Sequence, residues 1–187
     1  MHIAAGTSKQ YGEINELDIT KTQEKSYLIT SDQVGLFTRQ MTIGEIIKLL
    51  PKNQVQKKIG YGEFPDDTYD DYEIYDNVGS HLLTVTPKIQ NDLTSKINRV
   101  LIVSPQYQTK EGIGLNSTYS DLLASYSIKD YAPTIKHITL TVDSLNAWFN
   151  VSKAELEAGW WDEEKKEVDR TKISPDAVFD SIAIWWH

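Results

Sequence analysis

Residues 40–51 read QMTIGEIIKLLP, and this stretch decides how the rest of the chain is interpreted. Thr42 followed by Glu45 has the S/T-x-x-E spacing of a capping box, in which the two residues satisfy each other's backbone N–H groups at a helix start. The isoleucines and leucines that follow fall on one face of a helix, and Pro51 ends it. The stretch therefore predicts a short capped helix.

The same pattern returns in residues 116–127, NSTYSDLLASYS, about 76 residues further along the chain. Thr118 and Asp121 take the cap positions, and tyrosines and leucines take the apolar face. The best strand patterns lie at residues 97–104 and 179–186, and the first of these is apolar on both faces, as in a central strand. We therefore expect two copies of one unit.

The predicted fold class is α+β, with two tandem repeats of a short capped helix followed by about three antiparallel strands. The helices are expected to pack on one face of the sheet. The repeats span about residues 26–104 and 105–187 and form a single compact body over residues 26–187. Residues 1–25 carry few large apolar groups, so we expect a poorly ordered N-terminal segment.

Composition excludes several classes of function. The chain has 187 residues and a formal net charge of −8, and an acidic surface repels the phosphates of nucleic acids and anionic membranes. The absence of cysteine removes disulfides, thiolate catalysis and Cys-based zinc sites. No run approaches the roughly 18 apolar residues of a membrane-spanning helix. Nucleic acid is therefore not a predicted partner.

Residues 26–51, SYLITSDQVGLFTRQMTIGEIIKLLP, resemble a segment of bacterial envelope lipoproteins in which a V-G-x-I-x-x-G-M-T pattern precedes a helix. Met41 and Thr42 stand at the M-T position. The small outer-membrane assembly lipoproteins and the β-lactamase inhibitor protein family have a similar helix-then-sheet unit, the latter as a tandem repeat. The second half, with GIGLNST at residues 112–118 and GWWDEEKKEVDRTKISPDAVFDSIAIWW at residues 159–186, resembles uncharacterised secreted or lipid-anchored proteins of the Bacteroidetes type. The resemblance implies an envelope or secreted location with a lipid anchor upstream, and supplies no catalytic residue.

Two adjacent tryptophan pairs, Trp160–Trp161 and Trp185–Trp186, are the least ordinary feature of the sequence. Neighbouring residues of a strand face opposite sides, so one tryptophan of each pair is expected in the core and the other outside. An outward tryptophan gives a large contact area at low entropic cost, which suits contact with a protein or a glycan. The alternative is that the outward tryptophans stack on each other and cover the open face of the sheet.

Residues 60–71 are predicted to form a loop with four aspartates, Asp66, Asp67, Asp70 and Asp71. Several carboxylates on a flexible loop can bind Ca²⁺, but their order here differs from that of a calcium-binding EF-hand loop. A solvated acidic surface is the interpretation we favour. We predict neither a metal site nor a cofactor.

The sequence predicts no catalytic residue. His81 and His137 are far apart, and no H-x-x-x-H pair of a zinc protease is present. The G-x-S-x-G turn that carries the nucleophile of many hydrolases is also absent. No acidic residue stands alone in an apolar run, where burial would raise its pKa as in a glycosidase.

The predicted function is a non-enzymatic envelope or secreted protein that binds another protein or a glycan through a sheet face or loops. The two tryptophan pairs and the four aspartates are the candidate interaction surface. One alternative is an inhibitor or immunity-type protein that blocks a toxin or enzyme with an acidic surface. This alternative is also compatible with a cytoplasmic location. A second alternative is a cryptic hydrolase.

Overall fold

The computed structural model describes residues 27–62 and 67–187, so the segment predicted to be poorly ordered, residues 1–25, lies outside the described residues. Two α-helices are present, α1 (Ile43–Leu49) and α2 (Tyr119–Ser125). Fourteen strands account for most of the remaining regular structure. Their bounds are β1 Leu28–Ile29, β2 Gln33–Val34, β3 Phe37–Thr38, β4 Val55–Tyr61, β5 Thr68–Tyr75, β6 His81–Pro87, β7 Ile97–Ile102, β8 Gln108–Thr109, β9 Asp130–Pro133, β10 His137–Val142, β11 Ala147–Ser152, β12 Trp161–Asp162, β13 Glu167–Val168 and β14 Phe179–Trp185.

The predicted α+β class, with tandem repeats of a helix and about three strands, is wrong, because the described chain is mostly β. Each helix has only seven residues, whereas eight strands form one antiparallel sheet and six more form sheets of four and two strands. Both helices end in extended backbone, at Leu50 and Tyr126. Cap chemistry fixes where a helix begins and leaves its length, and therefore the fold class, undetermined.

The two predicted helix starts are confirmed. Thr42 accepts the backbone N–H of Glu45 on its hydroxyl, at 3.3 Å, and donates its own backbone N–H to the Glu45 carboxylate at 2.8 Å. Thr118 and Asp121 form the same reciprocal pair, at 3.2 and 2.8 Å. Each box satisfies N–H groups that have no acceptor within their own helix.

The first N–H group of each helix is bound by the loop that leads into a central strand. Ile43 N donates to the carbonyl of Ser95, just before β7, at 3.1 Å, and Tyr119 N donates to that of Ala177, just before β14, at 2.8 Å. A side chain at Gly44 would place its Cβ 3.1 Å from a carbonyl oxygen of the first loop. This close approach accounts for a glycine inside α1, where it weakens the helix.

The large sheet has the strand order β4-β5-β6-β7-β14-β11-β10-β9, and every neighbouring pair is antiparallel. β7 and β14 form its centre, so the prediction of a central strand at residues 97–104 is confirmed. Four strands from the first part of the chain lie on one side of this contact, including β7. Four from the second part lie on the other.

The two faces of the central pair differ in character. On the inner face the apolar side chains are completely buried, namely Val100, Ile102, Ile182 and Ile184. They belong to one hydrophobic core that also takes two residues from each helix. On the outer face, Arg99 lies opposite Trp185. This side of the sheet carries the candidate functional site.

The capping boxes predict a specific loss of stability. Thr42→Ala and Thr118→Ala each remove the side-chain acceptor at a helix start, and each is expected to lower the free energy of unfolding by about 1 kcal/mol. Thr42→Ser keeps the hydroxyl and serves as the control. Urea denaturation followed by circular dichroism measures the difference, and equal midpoints for Thr42→Ala and Thr42→Ser would contradict the role of the box.

The same contacts predict how the caps respond to pH. Hydrogen bonds from Thr42 hold the pKa of Glu45 below its ordinary value of 4.5, and Thr118 likewise lowers the pKa of Asp121. A lowered carboxyl pKa contributes stability above the unfolded pKa that is lost as the pH falls through the folded pKa. NMR titration of the Glu45 carboxyl should therefore give a midpoint below 4.5 that rises in Thr42→Ala. A midpoint unchanged by the substitution would be the contrary result.

Candidate functional site

The outer face of the central strands carries a stacked row of side chains. The guanidinium of Arg99 lies 5.1 Å from the ring centre of Tyr69 and 5.6 Å from that of Trp185. These distances are within the range of a cation–π contact. Trp185 also contacts Trp148, with ring centres 4.7 Å apart, and stacks on His187 at 5.8 Å and an interplanar angle of 16°. We call these five residues the aromatic row.

Strand register explains why the row forms. Arg99 and Trp185 are direct cross-strand partners on β7 and β14, and Trp148 is paired with Ala183 on the neighbouring strand β11. Partners in an antiparallel sheet have side chains on the same face, and diagonal neighbours are within reach of aromatic rings. The row is therefore a direct result of the sheet's order and register.

A polar network holds the row in place. Arg99 donates through Nη2 to the hydroxyl of Thr86 at 2.9 Å and to the carboxylate of Asp71 at 3.3 Å. The Thr86 hydroxyl in turn donates to Asp71. The side chains of Arg99 and Asp71 are each only 19% exposed, so this ion pair is partly shielded from water. Because the guanidinium is held from two sides, its orientation toward the rings is fixed.

The exposed part of the row is small. Trp185 is half-buried, whereas Trp148 is 38% exposed and is the most accessible indole of this face. A shallow groove of about 220 Å³ lies beside Arg99 and Trp185, and Lys88 and Asn98 form part of its wall. The surface offers one exposed indole on a rigid base.

Of the four aspartates predicted to form an acidic surface, the three that the structure describes do not form one exposed patch. Asp66 is outside the described residues, and Asp67 is exposed at the end of the gap. Asp70 and Asp71 are successive residues of strand β5 and face opposite sides of the sheet. Asp70 is completely buried, and Asp71 belongs to the network under the aromatic row. The prediction of a loop over residues 60–71 is therefore wrong at residues 60–61, which belong to β4, and from residue 68 onward, where β5 begins.

Asp70 anchors a loop to the edge of the sheet. Its Oδ2 accepts from the Lys57 ammonium at 2.9 Å and from the backbone N–H of Asn91 at 2.7 Å. The hydrogen bond to Asp70 is the main reason that the pKa of Lys57 is raised. The second oxygen, Oδ1, is buried without a hydrogen-bond partner among the described residues. The position of Asp70 is structural rather than part of an exposed acidic patch.

The tryptophan pairs differ from each other. Trp186 is buried, and its Nε1 donates to the carbonyl of Ser31 at 2.8 Å, while Trp185 lies on the outer face, as strand alternation predicts. Trp160 and Trp161 are both half-buried, with ring centres 6.1 Å apart. The prediction that one tryptophan is buried and the other exposed is wrong for Trp160 and Trp161, because only Trp161 belongs to a strand, and that strand has two residues.

Sequence reasoning missed four members of the row, Tyr69, Arg99, Trp148 and His187. The alternation of apolar and other residues along β11 could have predicted an outward Trp148. Ala147, Phe149 and Val151 are buried, so Trp148 lies on the opposite face. The expected stacking of outward tryptophans on each other is found with a different partner: Trp185 contacts Trp148.

Two other features, a metal-binding cluster and a membrane-spanning helix, are absent from the described residues. Within residues 27–62 and 67–187, no group of three or more histidine, cysteine, aspartate or glutamate side chains is placed to hold a metal ion. In the same ranges neither helix has the length and apolar character needed to cross a membrane.

Similarity to known proteins is found among solved structures. No protein-family model and no curated protein matches the chain. The crystal structure of the uncharacterised protein yfeY from Escherichia coli is similar, with a TM-score of 0.55 and 12% sequence identity over 84% of this chain and 99% of that one. At this identity the similarity concerns the fold alone.

The contrast between Asp70 and Asp67 predicts a difference in stability. Asp70→Ala leaves the N–H of Asn91 without its buried acceptor and removes the partner of Lys57. We expect the free energy of unfolding to fall by about 2–3 kcal/mol, as for a buried charged hydrogen-bonding group. Asp67→Ala changes an exposed side chain and is expected to stay within about 0.5 kcal/mol of wild type. Urea denaturation of both variants checks this, and similar midpoints would contradict the anchoring role.

Proposed function

We propose that the chain is a non-catalytic binding protein that docks another protein on the outer face of its eight-stranded sheet, through the aromatic row. The observation that carries the proposal is the exposed Trp148 ring beside Trp185 and Arg99, which lie on the two central strands of that sheet. Tryptophan, tyrosine and arginine are the residues most enriched among binding hot spots, and these cluster near the centre of an interface.

The rigidity of the row favours binding. Arg99 is held by Thr86 and Asp71, and Arg39 donates to the carbonyl of His187 at 3.1 Å. Side chains that are already ordered in the free protein lose little conformational entropy when a partner covers them. A preorganised patch of this kind therefore binds more tightly than the same residues on mobile loops.

The geometry favours a protein over a glycan on this face. A sugar ring needs an open aromatic face to stack on, and the Trp185 ring is already contacted by Arg99, Trp148 and His187. Its half-buried indole serves as support for Trp148. A protein partner can instead cover the whole face with side chains that pack around one protruding indole.

The inhibitor alternative receives no specific support from the structure. It depends on an acidic surface, but Asp70 is buried and the Asp71 carboxylate is neutralised by Arg99. The location that goes with the proposal is the cell envelope or the outside of the cell, with a lipid anchor upstream. Its basis is the sequence resemblance to envelope and secreted proteins.

Comparison of three versions of the chain tests the proposal. Wild type, Trp148→Ala and Val78→Ser are used to capture partners from the source cells, and each captured protein is purified and titrated by calorimetry. Val78 is 80% exposed in the turn between β5 and β6, outside the row, and is the matched surface control. Truncation of a hot-spot tryptophan should weaken binding about 30-fold, corresponding to about 2 kcal/mol.

Two results would count against the proposal. One is a partner whose affinity is the same for wild type and Trp148→Ala. The other is a Trp148-dependent ligand that proves to be a glycan, because this would reverse the choice of partner made for this face. Loss of binding in Val78→Ser as well would show that the effect is not specific to the row.

A further inference from the structure

A second aromatic surface lies away from the row, at the turn between β9 and β10. Trp160, Trp161 and Glu163 line a shallow cleft of about 430 Å³ together with Pro133 and Gly159. The two indoles have ring centres 6.1 Å apart and are inclined to each other by 55°. We call these five residues the tip cleft.

The indoles of the tip cleft are held from behind. Both pack against the hydrophobic core with part of their surface, and the Lys153 ammonium lies 4.8 Å from the ring centre of Trp160. The carbonyl of Trp160 accepts the backbone N–H of Asp169 at 2.7 Å, and Trp161 pairs with Val168 across the β12–β13 hairpin. Both rings are therefore half-buried on a fixed base, and the parts that line the cleft are what a ligand can contact.

Polar groups surround the rings. The Glu163 carboxylate is exposed at the edge of the cleft and accepts from the Lys166 ammonium at 2.8 Å. Gly159 has a φ of +82°, and nothing lies within 4 Å of the place where a Cβ would stand, so its side of the cleft is open. Flat apolar rings beside a few fixed hydrogen-bonding groups are the surface that a polyhydroxylated ligand needs, since it has both C–H faces and hydroxyl edges.

The local charge restricts the ligand. Three acidic residues, Asp162, Glu163 and Glu164, follow Trp161 directly, in a chain with a net charge of −8. Lys165 pairs with Asp162 at 3.3 Å and Lys166 with Glu163 at 2.8 Å, and the Lys153 ammonium lies beside Trp160. The charges around the cleft therefore nearly balance and give no excess of one sign to attract a charged ligand, whereas a neutral glycan needs none. We infer that the tip cleft binds a neutral glycan by stacking sugar rings on Trp160 and Trp161, at a site separate from the protein-docking row.

A titration with defined sugars tests the inference. The probes are neutral hexasaccharides of β-1,4-linked glucose, β-1,4-linked N-acetylglucosamine and α-1,4-linked glucose, titrated into the full chain by calorimetry. At least one should bind, with an affinity that falls at least about tenfold in Trp161→Ala and is insensitive to added salt. Glu163→Ala changes only an exposed residue and should weaken binding as well, which keeps the test valid if Trp161→Ala fails to fold.

Two control variants distinguish binding in the tip cleft from binding at the adjoining β9–β10 turn and at the aromatic row. Ile135, 94% exposed in the adjoining β9–β10 turn, should be dispensable for sugar binding, so Ile135→Ser should bind as wild type does. Trp148→Ala should also bind the sugar normally, because it changes only the aromatic row. The inference is overturned if no hexasaccharide binds or if binding survives both Trp161→Ala and Glu163→Ala. It is equally overturned if the cleft instead binds phosphatidylglycerol-containing vesicles in an Ile135-dependent way.

Discussion

The antiparallel contact between β7 and β14 is the constraint on which the rest of the structure depends. It joins the four strands of each side into one eight-stranded sheet. Its inner side chains, Val100, Ile102, Ile182 and Ile184, are fully removed from water. Burial of one such side chain stabilises the fold by roughly 1.5–3 kcal/mol, which is a large fraction of the 5–15 kcal/mol typical of a whole domain.

The same contact creates the outer surface. Because side chains alternate along a strand, a register that buries Val100 and Ile184 also places Arg99 opposite Trp185 on the other face. A shift of one residue would exchange the two faces and put a guanidinium and an indole in the core. The aromatic row and the hydrophobic core are therefore two results of one register.

Sequence patterns predicted the structure where the chemistry is local. Both capping boxes and the central strand β7 follow from contacts between near neighbours or from burial on both faces. The fold class did not follow, because it depends on how many strands join a sheet and on how short the helices are. The first half of strand β5, residues 68–71, was missed because aspartate is rare in strands, and Asp70 and Asp71 are retained here by Lys57 and Arg99, which are distant in sequence.

The candidate site was predictable only in part, for the same reason. Alternation places Trp185 and Trp186 on opposite faces, and these are residues of one strand pattern. The partners of Trp185 come from β7 and β11, and no local pattern shows that these strands flank β14. Trp160 and Trp161 lie at a short hairpin, where the geometry is set by the core behind them. The two aromatic surfaces therefore have separate structural origins.

Native-state hydrogen exchange of the backbone amides, followed by NMR, tests the central contact most directly. If β7 and β14 hold the two sides of the sheet together, the amides of the residues paired at this contact, from Val100 to Ile102 and from Ile182 to Ile184, should be among the slowest to exchange and should open only with global unfolding. Amides of β6 and β11 should then exchange with the same free energy of opening as those of β7 and β14. Faster exchange across the β7–β14 contact than within β5–β6 or β10–β11 would show two independently stable halves, and would contradict this account.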